Sequence, residues 1–340
     1  MGLILLRDLQ YRKWRVLLTV VLMAIVMTLL FIMAGLVGQF NAEPELATRF
    51  AGVDKYWVVP AGAGGPITNP QAVPRPLLPP VPDGEAVLFQ PSQLDGERVF
   101  VAGRDFKGPN HVEKNLDEGR MPAGPGEVVV DSTTGLSLGE SARLGTETVT
   151  VVGLVDDATV LAGVPMVFAP IDFAQKAVAG GNDVAMAIIT EDPDPNLPPE
   201  FQVLSSEQVT SDTLKPLENA ISSVTLVQAL LWLITTIVIA AIVYITALER
   251  TRDFAVLKAV GGKTRDLASS LLVQGVIMTA LAVGIAAILQ SFVAPAFPMI
   301  VRVPSSSWWQ IPVGAVIVAA VAGMAGVMKV RATSPSEAFG

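Results

Sequence analysis

Four long stretches without a charged side chain interrupt the chain. The first covers residues 16–39 and contains VLLTVVLMAIVMTLLFIM. At about 1.5 Å per helical residue it is long enough to cross a hydrocarbon layer of about 30 Å. It also exceeds the apolar region of about 7–15 residues expected of a cleaved signal peptide, so it reads as a retained helix. A second uncharged run covers residues 219–248 and is most apolar from Leu226 onward; a third covers 267–295. The fourth, 311–328, is preceded by Trp308 and Trp309, which are placed as interfacial anchors.

Between the first two runs the pattern changes to short apolar segments bounded by Gly, Pro, Asn and Asp. Segments 56–59, 99–102, 127–131, 148–155, 166–169 and 184–190 predict strands. Residues 171–179 predict a short helix, with Asp172 in its first turn favoured by the helix dipole. The proline-rich patches 66–82 and 193–199 predict loops. The fold class is thus a polytopic α-helical membrane protein with four transmembrane helices, one plus three. A mixed α/β extracytoplasmic domain is inserted between the first and second.

The expected segments are a cytoplasmic N-terminus 1–15, helix 16–39, outer domain and stalk 40–223, helix 224–248 and a cytoplasmic coupling helix 249–266. Helix 267–295, outer loop 296–310, helix 311–328 and cytoplasmic tail 329–340 follow. The second run would be about 45 Å long as a helix, so it should project beyond the bilayer.

Composition agrees with a membrane chain. Hydrophobic residues make up 51% of the 340 and charged residues only 16%, with a mean hydropathy of +0.54, against about 25% charged in soluble domains. Cysteine is absent and His111 is the one histidine. Thiol chemistry, disulfides and Cys or His metal clusters are therefore excluded as the basis of function. Charge sets the orientation. Arg7, Arg12, Lys13 and Arg15 precede the first helix; Arg250, Arg252, Lys258, Lys263 and Arg265 lie between the second and third; Lys329 and Arg331 follow the fourth. These are about half of the 23 basic residues, and the positive-inside rule makes all three segments cytoplasmic. Residues 40–223 carry 26 acidic against 11 basic side chains, which argues against binding nucleic acid.

Two glycine motifs invite a nucleotide reading. GAGG at 62–65 is followed by Pro66 and no Lys-Ser/Thr; GGKT at 261–264 lacks the first P-loop glycine, since position 257 is leucine. Neither is a P-loop, so any ATP dependence must come from a partner. In the loop LERTRDFAVLKAVGGKTRDL, Phe254, Leu257 and Gly261 share one helical face, flanked by charge, with Gly261-Gly262 as a stop. This is either a connector lying on headgroups or a docking helix for a cytoplasmic partner.

That loop, with the ending SPSEAFG and the outer segment EVVVDSTTGLSLGESARLGTETVTVVGLVDD, resembles the MacB/FtsX-type ABC transporter permeases, the mechanotransmission class. The short outer domain and VDKYWVVPAGAGGPIT after the first helix resemble the compact subgroup of Hrt-type haem exporters and DevC-like permeases. The resemblance implies a homodimer in membrane lipid and a cytoplasmic ABC ATPase docked through Arg252, Phe254, Leu257, Lys258, Gly261 and Gly262. The chain itself would be no enzyme and hold no cofactor. The spacings Ala280/Gly284 and Ala319/Gly323 permit close helix packing, in keeping with a dimer.

For substrate, Met27, Met33 and Glu218 with Phe31 and Leu226 are the candidate contacts for an amphipathic compound, with haem the leading one. Thioether and carboxylate would meet the iron and the apolar side chains would meet the ring. The bland alternative is that the methionines are core fillers and Glu218 a solvated stalk residue. His111 reads as a surface residue. The competing function is that of an FtsX-like transmitter regulating an extracellular cell-wall enzyme without transport.

Overall fold

The computed structural model describes residues 13–52, 56–68, 71–107, 110–193, 197–249, 264–297 and 299–332. The first uncharged run lies in one helix, α1 (Lys13–Ala51), which outlasts the run by some three turns. The reason is amphipathic spacing after charge returns. Glu43, Ala47, Phe50 and Ala51 are buried, while Asn41, Glu45 and Arg49 share the exposed face, with Arg49 paired to Glu45 at 2.7 Å. By contact the chain divides into two units, Met1–Gln39 with Ser222–Gly340, and Phe40–Ile221.

The inserted unit is built from β1 (Tyr56–Pro60), β2 (Val73–Pro74), β3 (Glu85–Leu94), β4 (Glu97–Gly103), helix α2 (His111–Lys114), β5 (Leu116–Gly119), β6 (Glu127–Asp131), β7 (Ser141–Leu144) and β8 (Glu147–Val155). These are followed by β9 (Thr159–Val160), β10 (Val164–Ala169), α3 (Ile171–Val178), β11 (Val184–Ala185), β12 (Ala187–Thr190), β13 (Phe201–Ser205) and α4 (Ser206–Leu214). The main sheet runs β13-β1-β12-β3-β4-β10-β6-β8-β5. Pairs β4/β10 and β6/β8 are parallel. Strand β7 pairs with both β3 and β8, so β3-β4-β10-β6-β8-β7 closes into a ring. Trp57, Phe89, Phe100 and Phe168 fill the core of this unit, joined by Ala47 and Phe50 of α1.

All six expected strand segments are strands, with 184–190 split at Met186 into β11 and β12. The longest strand, β3, escapes the hydrophobic pattern because Gln90-Pro91-Ser92-Gln93 breaks it. Proline is tolerated there because β12 pairs only with residues 85–87 and β7 only with Leu94, leaving that edge unpaired at Pro91. The proline-rich patch 66–82 is mostly irregular, but Val73–Pro74 pairs with β11. Arg75 anchors it through Asp172 at 2.9 Å and Asp183 at 3.0 Å.

The remaining long helices are α5 (Glu218–Glu249), α6 (Thr264–Val293) and α7 (Ser307–Ala332), which belong to the other unit except for the first turn of α5. Four helices among the described residues are long and apolar enough to cross a membrane. Their core is a stripe of α1, comprising Val20, Met23, Ala24, Met27, Phe31 and Ala34. It packs with Ile239 and Val243 of α5, Met278, Ala282 and Ala286 of α6, and Ala315 and Ala319 of α7. The alanines at four-residue spacing let helix backbones approach closely.

Candidate functional site

The membrane bundle is organised around α1. Met23, Met27 and Phe31 follow at i, i+4 and i+8, which puts them on one face, and all three are enclosed. Phe31 meets Trp308 with ring centroids 5.3 Å apart. Met23 and Met278 line a small apolar crevice with Ile242, Val243, Thr246 and Gly275. Further along α1, Gly35 and Gly38 are approached by the segment before α7. A Cβ at Gly35 would overlap Val301, and one at Gly38 would overlap the Arg302 carbonyl oxygen and lie 2.7 Å from Pro304. The absent side chains at these two glycines are what allow that backbone to close on α1.

Of the expected substrate residues, Met27 and Phe31 are brought together within the packed core. Met33 is half-buried on another face; Leu226 and Glu218 are exposed, Glu218 in the first turn of α5. Ala319 and Gly323 are used within the chain, Gly323 lying under Leu272. Ala280 and Gly284 face outward, with open space beside Gly284.

In the inserted unit the extension of α1 is held by buried charge. The Glu43 carboxylate, 1% exposed, accepts hydrogen bonds from Thr159 Oγ1 at 2.8 Å, Ala162 N at 2.7 Å and Gly163 N at 2.6 Å. At the helix end, Arg104 donates through Nη1 to the Gly52 carbonyl at 3.0 Å and through Nε and Nη2 to Glu85 at 3.2 and 2.8 Å. Glu85 also accepts from Phe106 N at 2.6 Å. A cation at a helix C-terminus is favourably placed. Thr210 Oγ1 of α4 donates to Thr48 Oγ1 at 3.2 Å. His111 is half-buried, its ring edge-on to Phe50 with centroids 4.7 Å apart. The GAGG loop is occupied internally, with Gly65 N donating to Asp212 Oδ2 at 2.8 Å.

Two carboxylates of this unit show opposite electrostatics. Glu127 is drawn down to about 2, first by its hydrogen bonds from the Arg120 guanidinium and then by Ala123 N. Asp131, wholly buried, is pushed up by loss of hydration, partly offset by hydrogen bonds from Thr133 and Ala158.

None of Glu43, Gly35, Gly38 and Arg104 was a sequence candidate. A Glu just past the end of an apolar run, or two glycines within that run, carries no signal of its partner.

Helices α5 to α7 match the family model described as FtsX-like permease C-terminal, over residues 225–335. The whole chain is similar to "Uncharacterized ABC transporter permease Rv2563" of Mycobacterium tuberculosis (strain ATCC 25618 / H37Rv), 34% identical over 343 residues and covering 98% of both chains. The chain belongs to the FtsX-like ABC transporter permeases. A second relative, "Uncharacterized ABC transporter permease Rv0072" of the same organism, is 32% identical over 347 residues, again with 98% of both covered.

Among solved structures, the periplasmic region of MacB from Actinobacillus actinomycetemcomitans covers 47% of the permease and 92% of itself, at 12% identity and TM-score 0.34. The extracellular domain of the noncanonic ABC-type transporter YknZ from Gram-positive bacteria covers 44% and 98%, at 13% identity and TM-score 0.30. A permease of an ABC transporter implies a partner ATPase subunit. The residues expected to couple to an ATPase, Arg252, Phe254, Leu257, Lys258, Gly261 and Gly262, lie outside the described residues.

Proposed function

We propose that the permease is the membrane subunit of a homodimeric ABC exporter that extrudes an amphipathic compound by mechanotransmission. ATP with Mg is bound by the partner ATPase, which docks on the 249–266 loop through Phe254 and Leu257, with Arg252, Lys258, Gly261 and Gly262 around them. Both termini are cytoplasmic and the inserted domain is extracytoplasmic. The observation that carries the reading is the double duty of α1. One helix, Lys13–Ala51, supplies Val20 to Ala34 to the membrane core and Ala47 and Phe50 to the core of the inserted domain. A displacement of that helix by a cytoplasmic motor is therefore offered to both units.

Haem is the substrate candidate. Met33, Leu226 and Glu218 have the exposure to meet an amphipathic ligand; Met27 and Phe31 would meet it where the helices part. Haem is titrated into the purified permease–ATPase complex while the Soret absorption and ATP hydrolysis are followed. The parent should bind haem, and Met33→Ala and Glu218→Ala should each weaken binding by about tenfold, a change of ~1.4 kcal/mol. A parent that shows no haem-dependent spectrum removes haem and leaves the exporter. Phe254→Asp with Leu257→Asp should abolish recruitment of the ATPase; full recruitment by that variant overturns the docking face.

A further inference from the structure

We propose that Glu43 is the residue through which movement of α1 is passed into the inserted sheet, a reading that rests on the exporter proposed above. Both oxygens of its buried carboxylate are engaged. Oε1 accepts from Thr159 Oγ1 and Gly163 N, and Oε2 accepts from Ala162 N. These donors lie in β9 and the turn between β9 and β10, where Leu161, Ala162 and Gly163 have φ of 51°, 72° and 94°. Left-handed backbone is unfavourable for leucine and alanine. Here it turns successive N–H groups toward one point, a concavity suited to an anion, and the anion is supplied by the helix.

The strand that follows that turn is central. β10 pairs with β4 on one side and β6 on the other, within the closed ring of strands. A pull on Glu43 therefore acts on the middle of the sheet.

A proline interrupts the hydrogen bonding of the helix just where this hold begins. Pro44 lies inside α1 and has no N–H to give to the carbonyl of residue 40, the usual cause of a helix bend. The two contact-defined units divide between Gln39 and Phe40. Beyond Pro44 the helix is fixed again by Thr48 against Thr210, by Phe50 against Phe168 with centroids 6.1 Å apart, and by Arg104 on the Gly52 carbonyl. Glu43 sits in this weakened turn, at the start of the part of the helix that is held to the sheet.

The test is amide hydrogen exchange on the full-length permease assembled with its ATPase in nanodiscs, without nucleotide and after trapping with ATP, Mg and vanadate. In the parent, peptides covering 159–169 should change their exchange on trapping. In Glu43→Ala, the turn at 161–163 should exchange at least tenfold faster in both states. The nucleotide-dependent difference along β10 should vanish while the assembled ATPase still hydrolyses ATP. Glu43→Gln keeps the size but one acceptor oxygen, should give a partial loss, and decides the question if the alanine variant does not fold. Because the chain has no native cysteine, Glu43→Cys with Ala162→Cys can be joined by a short bifunctional thiol reagent, which should restore the difference. Variants that respond to nucleotide like the parent, or a cross-linked pair that stays silent, overturn the role of Glu43 alone. A parent with no nucleotide response overturns the exporter reading beneath it.

Discussion

Arg104 and Glu85 are both buried, at 1% and 5% side-chain exposure, and each is satisfied by more than the other. Arg104 also reaches the Gly52 carbonyl and Glu85 the Phe106 amide. Removing one member of such a pair strands a charge, with a typical cost of about 3–5 kcal/mol. The Arg120–Glu127 pair is exposed and acts through pH instead. Glu127 falls from the ordinary 4.5 to about 2 in the folded chain. Its contribution to stability is therefore complete above pH 4.5 and is lost as pH falls through about 2. Asp131 has the opposite sign: its folded value is raised above 3.8, so stability declines as pH rises from 3.8 through the raised value. We expect thermal melting of Arg120→Met to differ from the parent above pH 4.5 and to converge with it toward pH 2. Asp131→Asn should flatten the decline above pH 3.8. Parallel melting-versus-pH curves for parent and both variants would contradict these assignments.

At the scale of elements, α1 is constrained along both halves of its length. Its membrane face is filled by Met23, Met27 and Phe31, and its glycine pair admits the 301–304 segment. The two glycines are not equivalent. At Gly35 the obstacle is the Val301 side chain, which can rotate; at Gly38 it includes the Arg302 carbonyl, which is backbone. Overpacking a filled site typically costs about 1–3 kcal/mol. Gly38→Ala should accordingly lower the melting temperature of the detergent-solubilised permease more than Gly35→Ala, and it should speed tryptic cleavage after Arg302. Equal cleavage rates in the parent and Gly38→Ala would mean the segment does not depend on that approach.

For the whole molecule, one long apolar helix precedes the inserted domain and three follow it, and the sequence likeness to the permease Rv2563 runs over 98% of both chains. The orientation rests on the basic residues. A thiol label at Glu97→Cys or Glu147→Cys should react with an impermeant reagent added to intact cells, and one at Lys263→Cys only after lysis. The reverse pattern would invert the topology and move the docking loop away from any cytoplasmic ATPase.

The fold class was legible in the sequence because hydropathy acts locally. Twenty uncharged residues must find lipid or a core whatever the rest of the chain does. The six expected strands were legible for the same reason, since each alternates or clusters its apolar side chains within a few residues. Strand β3 was not, because whether Pro91 is tolerated depends on which neighbours leave that edge unpaired. The core-filler reading of the methionines holds for Met27, but the sequence could not tell that α1 continues to Ala51 or that Glu43 meets Ala162 and Gly163 more than a hundred residues away. Those outcomes depend on long-range packing and on buried hydrogen bonds whose donors are backbone amides. Every residue has such an amide, so only the tertiary structure decides which ones face a given carboxylate.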